Sequence, residues 1–159
     1  MNEIVSISYL LKQQNAVDAI AERVREIVLA NNKHPNDSIG KHVNFMPAPD
    51  GSSDFQATLH RRTIRFKLVH ALIPDGSGQE LIGQYEWYFV DGEGDQTLVG
   101  EGIQLHDSRF VLSPAGTFNE VYAGMQPSEE MAVFSVFARA AVTAIQKSLK
   151  VVQKHSNQG

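Results

Sequence analysis

The chain contains no cysteine, which removes disulfides, thiol catalysis and cysteine-ligated zinc from consideration. Long apolar runs are missing as well: nothing approaches the roughly 20 residues that cross a bilayer. The opening MNEIVSISYLLKQQ puts no basic leader ahead of its few apolar residues. A cytoplasmic protein without a membrane partner is the expectation. There is no surplus of positive charge either. The formal net charge is −4, whereas a general polyanion binder carries excess Lys and Arg to displace counterions. Nucleic acid is therefore not expected as a partner.

The usual signatures of chemistry are absent too. His34, His42, His60, His70, His106 and His155 show no H-x-H, H-x-x-H or H-E-x-x-H spacing, so no metal is expected. There is no Gly-x-Ser-x-Gly elbow for a nucleophile. The run His106-Asp107-Ser108 has the residue types of a hydrolytic triad, but neighbours on a strand point to opposite faces, and a turn with an Asp cap explains it better. DGSG and DGEGD lack the strand–loop–helix setting of a phosphate site, and DGEGD lacks the remaining ligands of a calcium loop. Both read as hairpin turns. No cofactor is expected.

What is present describes one α+β domain over residues 1–159. Hydrophobic residues make up 42% and charged residues 20% of the 159, enough for a chain of this length to bury roughly 68–70% of its unfolded surface. Leu10, Val17, Ile20, Val24, Ile27 and Val28 recur at three- and four-residue steps, predicting a helix over 7–30. A short strand at Val43–Met46 and, from Phe55 to Ala123, a period of two predict an antiparallel meander of five to six strands over 43–123. Pro127-Ser128, with Ser128 as N-cap and Glu129 and Glu130 behind it, opens a second long helix over 129–154. Residues 155–159 read as a frayed tail. The whole is a curved antiparallel sheet flanked by two long helices.

Register organises the centre of the chain. Ile64, Phe66, Leu68, His70 and Leu72 alternate with Arg65 and Lys67, while Leu81, Tyr85, Trp87 and Phe89 alternate with Gln84 and Glu86. A hairpin at Gly76-Ser77 pairs Leu68 with Tyr85, Phe66 with Trp87, Lys67 with Glu86 and His70 with Gly83, so apolar meets apolar and cation meets anion. Upstream, Phe55, Ala57 and Leu59 have the opposite parity. The alternation slips within His60-Arg61-Arg62-Thr63, and because tight hairpin turns call for Gly, Asn or Asp, a β-bulge is favoured there over a turn.

The third strand fits two ways. Either Val99, Ile103 and Leu105 join the apolar face and bring Glu101 beside Trp87, or Gly100 and Gly102 lie beneath Trp87 and Tyr85 and Glu101 faces water. At the last hairpin Val111 is set against Phe118 and Arg109 against Glu120.

These patterns favour a non-enzymatic binding or interaction module, homo-oligomeric, that offers a helix or sheet surface to a protein partner or an apolar ligand. The second helix carries the argument. Phe134, Phe137, Ala138, Ala141, Ile145, Leu149 and Val152 form a core stripe, and Val133, Val136, Ala140, Ala144 and Val151 widen it beyond one contact surface. The alternative is a small enzyme or ligand-binding protein with a pocket lined by Phe66, His70, Tyr85 and Trp87, in which His70 and an inward Glu101 are the candidate catalytic groups.

Overall fold

The computed structural model describes residues 3–31, 42–76, 78–106, 111–113, 119–121 and 125–153. It runs α1 (Glu3–Asn31), β1 (Asn44–Pro47), β2 (Phe55–Leu59), β3 (Arg62–Asp75), β4 (Gly78–Val90), β5 (Gln96–His106), β6 (Val111–Ser113), β7 (Asn119–Glu120) and α2 (Pro127–Ser148). All seven strands form one antiparallel sheet in sequence order. The expected α+β sheet with a long helix at each end is therefore the architecture. The last two strands are only three and two residues long and take the count past the expected five to six. Among the described residues no helix is long and apolar enough to cross a membrane.

The β3–β4 hairpin has the register read from parity. Leu68 pairs with Tyr85, Phe66 with Trp87, Lys67 with Glu86 and His70 with Gly83. Its inner face meets both helices, which also pack on each other. Phe55, Phe66, Phe134 and Phe137 are fully buried there, with Val17, Val24 and Ile27 from α1. Phe137 stands edge-on to Phe55, Phe66 and Tyr85 at 5.2, 5.3 and 5.0 Å, a geometry worth about 0.5–1.5 kcal/mol per pair beyond area burial. Arg23 on α1 reaches Glu130 on α2 at 3.0 Å and fixes the helices at their other contact.

Three expectations need correction. The parity slip at 60–63 is a hairpin rather than a bulge: Leu59 pairs with Arg62, and His60 and Arg61 make the turn at φ 51 and 63. Two successive positive φ values are the geometry of a tight hairpin turn, and they cost these side chains of order 1–2 kcal/mol each. Strand burial overrides that cost, because Phe55 on Phe66 and Ala57 on Ile64 bring four buried residues face to face.

The second correction concerns α2. It starts at Pro127 with Gln126 as N-cap, because proline's fixed φ suits the first helical position and the Glu129 carboxylate accepts the Gln126 N–H at 3.1 Å. It stops at Ser148 rather than at 154. The Ser148 hydroxyl donates to the Ile145 carbonyl at 2.7 Å and accepts from Arg62 at 2.9 Å, a side-chain bond that competes with the helical ladder. Leu149 and Val152 are consequently not core residues: they and Val151 are exposed and outside the helix.

In the third, Val111 pairs with Glu120 and Leu112 with Asn119, two residues away from the expected register. Arg109 and Phe118 lie outside the described residues, as do Asp107, Ser108 and the expected tail 155–159.

β5 takes both of its proposed registers in turn. Ile103 lies opposite Tyr85 as in the first, and then the pairing shifts, so that Gly100 lies opposite Trp87 and Glu101 opposite Glu86 as in the second. Gly102, at φ 110, is the extra residue of the first shift. A second shift leaves Val99 without a pairing partner on β4. Two bulges within four residues bend the strand.

Gly83 shows how closely α1 is seated. A Cβ there would lie 2.6 Å from Val17 Cγ1 and 2.9 Å from Leu68 Cδ1. The Leu68 tip can swing aside, but valine is stiff at χ1. Gly83→Ala is expected to lower stability by about 1–3 kcal/mol through overpacking, read from urea unfolding midpoints. Adding Val17→Ala should recover part of the loss, since contacting residues couple. Equal stability of Gly83→Ala and the parent chain would contradict this seating of α1.

Candidate functional groove

α2 covers the sheet where its aromatic cluster lies and leaves a trough beside β5. The helix contributes two rows at four-residue steps. Ala132, Val136, Ala140 and Ala144 form an apolar row, and Ser135, Arg139, Thr143 and Lys147 form a polar row beside it. Residues four apart on a helix stack one above the other, so each row is continuous and spans roughly 18 Å. Trp87, Val99, Gly100 and Ile103 form the facing wall. The open groove between them has a volume of about 910 Å³, at the upper end of the range typical of small-molecule sites.

Trp87 is positioned by its own strand partner. A Cβ on Gly100 would fall 2.1 Å from the indole, so the ring lies flat on the glycine and remains only partly buried. The widened apolar stripe of α2 now has a physical account. Phe134, Phe137, Ala138, Ala141 and Ile145 face the core, while Val136, Ala140 and Ala144 also line the groove.

The expected pocket residues are divided. Phe66 and Tyr85 are buried in packed core, at 0% and 3% exposure, and burial pushes the Tyr85 phenol well above its ordinary value, with Asp54 and Glu22 adding to the effect. Trp87 lines the groove. His70 sits elsewhere, with Nε2 2.7 Å from the Asp18 carboxylate of α1. The sequence carries no sign of this carboxylate near His70, because Asp18 is 52 residues away and reaches it only after Val17 docks on Gly83. Among the described residues no hydroxyl is hydrogen-bonded to this pair, and no group of three or more His, Asp or Glu could hold a metal. The pair fastens α1 to β3.

Glu101 takes the solvent alternative. It is exposed and opposite Glu86 on the sheet face turned away from the helices. Desolvation raises the pKa of Tyr88, and the bond from its hydroxyl to Glu86 at 3.0 Å and the charges of Glu86 and Glu101 add to this. His70 and Glu101 are therefore not brought together. His106 lies near Gln104 at 3.3 Å and Glu80 at 3.8 Å.

Lys67 faces Glu86 in register, but among the described residues neither it nor Arg65 forms a cross-strand ion pair with that carboxylate; both take other partners. Arg65 bonds Asp50 and Asp54 at 2.7 Å each and Ser52 at 3.1 Å, while Lys67 lies 5.3 Å from the Tyr88 ring centroid. The loop between β1 and β2 supplies these acids, shaped by Asp50 accepting the Ser52 N–H and Ser52 accepting the Asp54 N–H. A second hollow lies by Arg61, Arg62, Asp91 and Asp95, where both signs of charge meet and Arg62 stacks 3.9 Å over Phe89.

No family model matches the chain, and no curated protein or solved structure matches it.

The Arg65 hydrogen bond, with help from Ser52, holds the Asp50 carboxyl far below its ordinary pKa. Asp50 therefore favours the fold once pH exceeds the unfolded carboxylate value of about 3.9, and that contribution fades as acid protonates the folded group. Asp50→Asn should lower stability at neutral pH and flatten the acid limb of a stability–pH curve below about pH 4. Parallel acid limbs for the two chains would show that Arg65 does not hold Asp50 in this way.

Proposed function

We propose that the protein is a non-enzymatic binding module whose principal recognition surface is the groove between α2 and β5. The observation supporting this is a long, preformed apolar trough, walled by Trp87, Val99 and Ile103 and by the alanine row of α2, with no acid–base pair inside it among the described residues. His70, the candidate base, is occupied by Asp18 away from the groove. An aromatic wall facing small side chains leaves room for an apolar guest, and apolar lining with a few polar groups is the common make-up of ligand sites. A cytoplasmic setting is part of this proposal.

Trp87 is the only tryptophan, so its emission reports on the groove directly. N-phenylnaphthylamine, a neutral apolar fluorophore, should bind saturably and perturb Trp87 emission. Ala140→Phe, which places a ring across the trough, should weaken binding tenfold or more, about 1.4 kcal/mol. An unsaturable titration of the parent chain, or an Ala140→Phe chain that binds equally well, would refute the groove as the site.

A second exposed surface supports the homo-oligomer. The stripe of α1 runs on toward its N-terminus past Gln13, whose side chain accepts the Leu81 N–H at 3.1 Å. On a face beside the stripe Ile7 and Leu11, four residues apart, are more than half exposed. We assign this patch to α1 of a second copy, because a helical stripe at three- and four-residue steps is self-complementary across a two-fold axis. Light scattering after size exclusion should give a dimer mass for the parent chain and a monomer mass for Ile7→Glu with Leu11→Glu. A monomeric parent at micromolar concentration would exclude the dimer.

A further inference from the structure

We propose that the groove selects an anionic single-chain amphiphile, a linear acyl carboxylate, whose chain lies along the apolar row and whose head is taken up on the cationic rim, with Arg139 as its fork and Lys147 at the rim's far end. This rests on the groove being the binding site, and it is drawn from charge rather than volume. Arg139 and Lys147 both lie in the polar row of the groove and both are exposed.

Apart from Arg61 in the β2–β3 turn, the other described arginines are engaged. Arg23 and Arg25 pair with Glu130 and Glu22, Arg65 with Asp50 and Asp54, and Arg62 stacks on Phe89. Among the described residues neither Arg139 nor Lys147 has a carboxylate within ion-pair distance. In a chain of net charge −4, two free cations on one rim of an apolar trough form a local exception to the prevailing sign.

Glu101 is the acid nearest this site in sequence and belongs to the same wall. Its pairing with Glu86 and its influence on Tyr88 place its charge on the far face of the sheet. Glu101 is thus the one acid among the described lining residues, and its carboxylate shares the outer face with Glu86, so that guanidinium and ammonium groups are what a guest meets from α2. Ser135 and Thr143 are interleaved with them at four-residue steps. Arg offers a planar fork that fits a carboxylate with two parallel hydrogen bonds. Lys147, roughly 12 Å further along the helix, marks the other end of the charged rim.

The trough's shape favours a thin flexible chain over an added peptide strand. Among the described residues β6 pairs only with Gln104–His106 of β5, and no described strand pairs with β5 between Gln96 and Ile103 on that side. The bulges at Gly102 and Val99 break the even spacing that a pairing strand needs, and such bulges commonly protect sheet edges. The apolar row, by contrast, is continuous over roughly 18 Å.

The test uses the full chain and Trp87 emission, with dodecanoate, dodecanol and dodecyltrimethylammonium below their aggregation limits. Dodecanoate should bind saturably and at least tenfold more tightly than dodecanol, and dodecyltrimethylammonium should bind weakest. In Arg139→Gln with Lys147→Gln the preference for dodecanoate over dodecanol should collapse to near unity. Arg139→Lys should restore part of it. The urea midpoint should not move, since both side chains are exposed. Pelleting with phosphatidylglycerol vesicles separates a free amphiphile from a bilayer, and the chain should stay in the supernatant.

Equal affinity for dodecanoate and dodecanol, or full selectivity in the double variant, overturns the head-group assignment and leaves the groove standing. Failure of N-phenylnaphthylamine to bind the parent chain removes the groove itself. Vesicle binding without dodecanoate uptake overturns the free amphiphile in favour of a membrane surface. A dimer that dissociates on Arg139→Glu, without dodecanoate binding in the parent, identifies a second copy as the occupant.

Discussion

Phe137 decides where the second helix lies. Its ring contacts Phe55, Phe66 and Tyr85 edge-on, one residue from each of β2, β3 and β4, and these residues share a face only in the register observed for those strands. A one-residue slip of any strand would send its aromatic to the opposite face and remove one of the three contacts. The helix is thereby anchored over the middle of the sheet. The first helix is anchored beside it by Val17 against Gly83 and by Arg23 to Glu130. With both helices held there, the inner side of β5 around Trp87 and Val99 receives only the flank of α2. The groove is a consequence of where the rings lock.

Much of this was readable in the sequence because two independent signals agreed. In β3 and β4 apolar parity and charge parity both demanded the pairing of Phe66 with Trp87 and Lys67 with Glu86. Where only one signal existed, reading failed or stopped short. His60-Arg61 carries no turn residue, so local chemistry argued for a bulge, yet the facing of buried Phe55, Ala57, Ile64 and Phe66 imposed a strained turn. In β5 two registers fitted equally because the strand uses both, changing from one to the other at Gly102. The end of α2 was hidden for a different reason. Leu149, Val151 and Val152 keep helical spacing, but the Ser148 hydroxyl takes the Ile145 carbonyl and Arg62, 86 residues upstream, takes the hydroxyl. A tertiary contact ended a helix that propensity would have continued.

The groove was legible in part for the same reasons. Trp87 and the excess breadth of the α2 stripe were both visible, and the structure joins them across the trough. The four-residue row of Ser135, Arg139, Thr143 and Lys147 was also in the sequence, but one helix row has meaning only when its opposite wall is known. Asp18 had no signal at all. Its approach to His70 depends on how far along β4 the first helix slides, and that is set by Gly83 admitting Val17.

The distribution of charge on the two sheet faces bears on which of them meets a partner. On the outer face Arg65 is bound by two carboxylates, Lys67 lies over Tyr88, and Glu86 and Glu101 stand opposite each other. Like charges so placed repel, and with the cations already partnered the face presents carboxylate to water. On the inner side the groove keeps its cations free. Leaving Arg139 and Lys147 unpaired on one rim does nothing for the fold, since a glutamate at Thr143, four residues from each, could satisfy either at helical spacing. The alanine row beneath them is equally telling, because larger side chains there would fill the trough and bury Trp87. Small side chains below and free cations above make the groove a poor core and a suitable cradle for a molecule with an apolar length and a negative end.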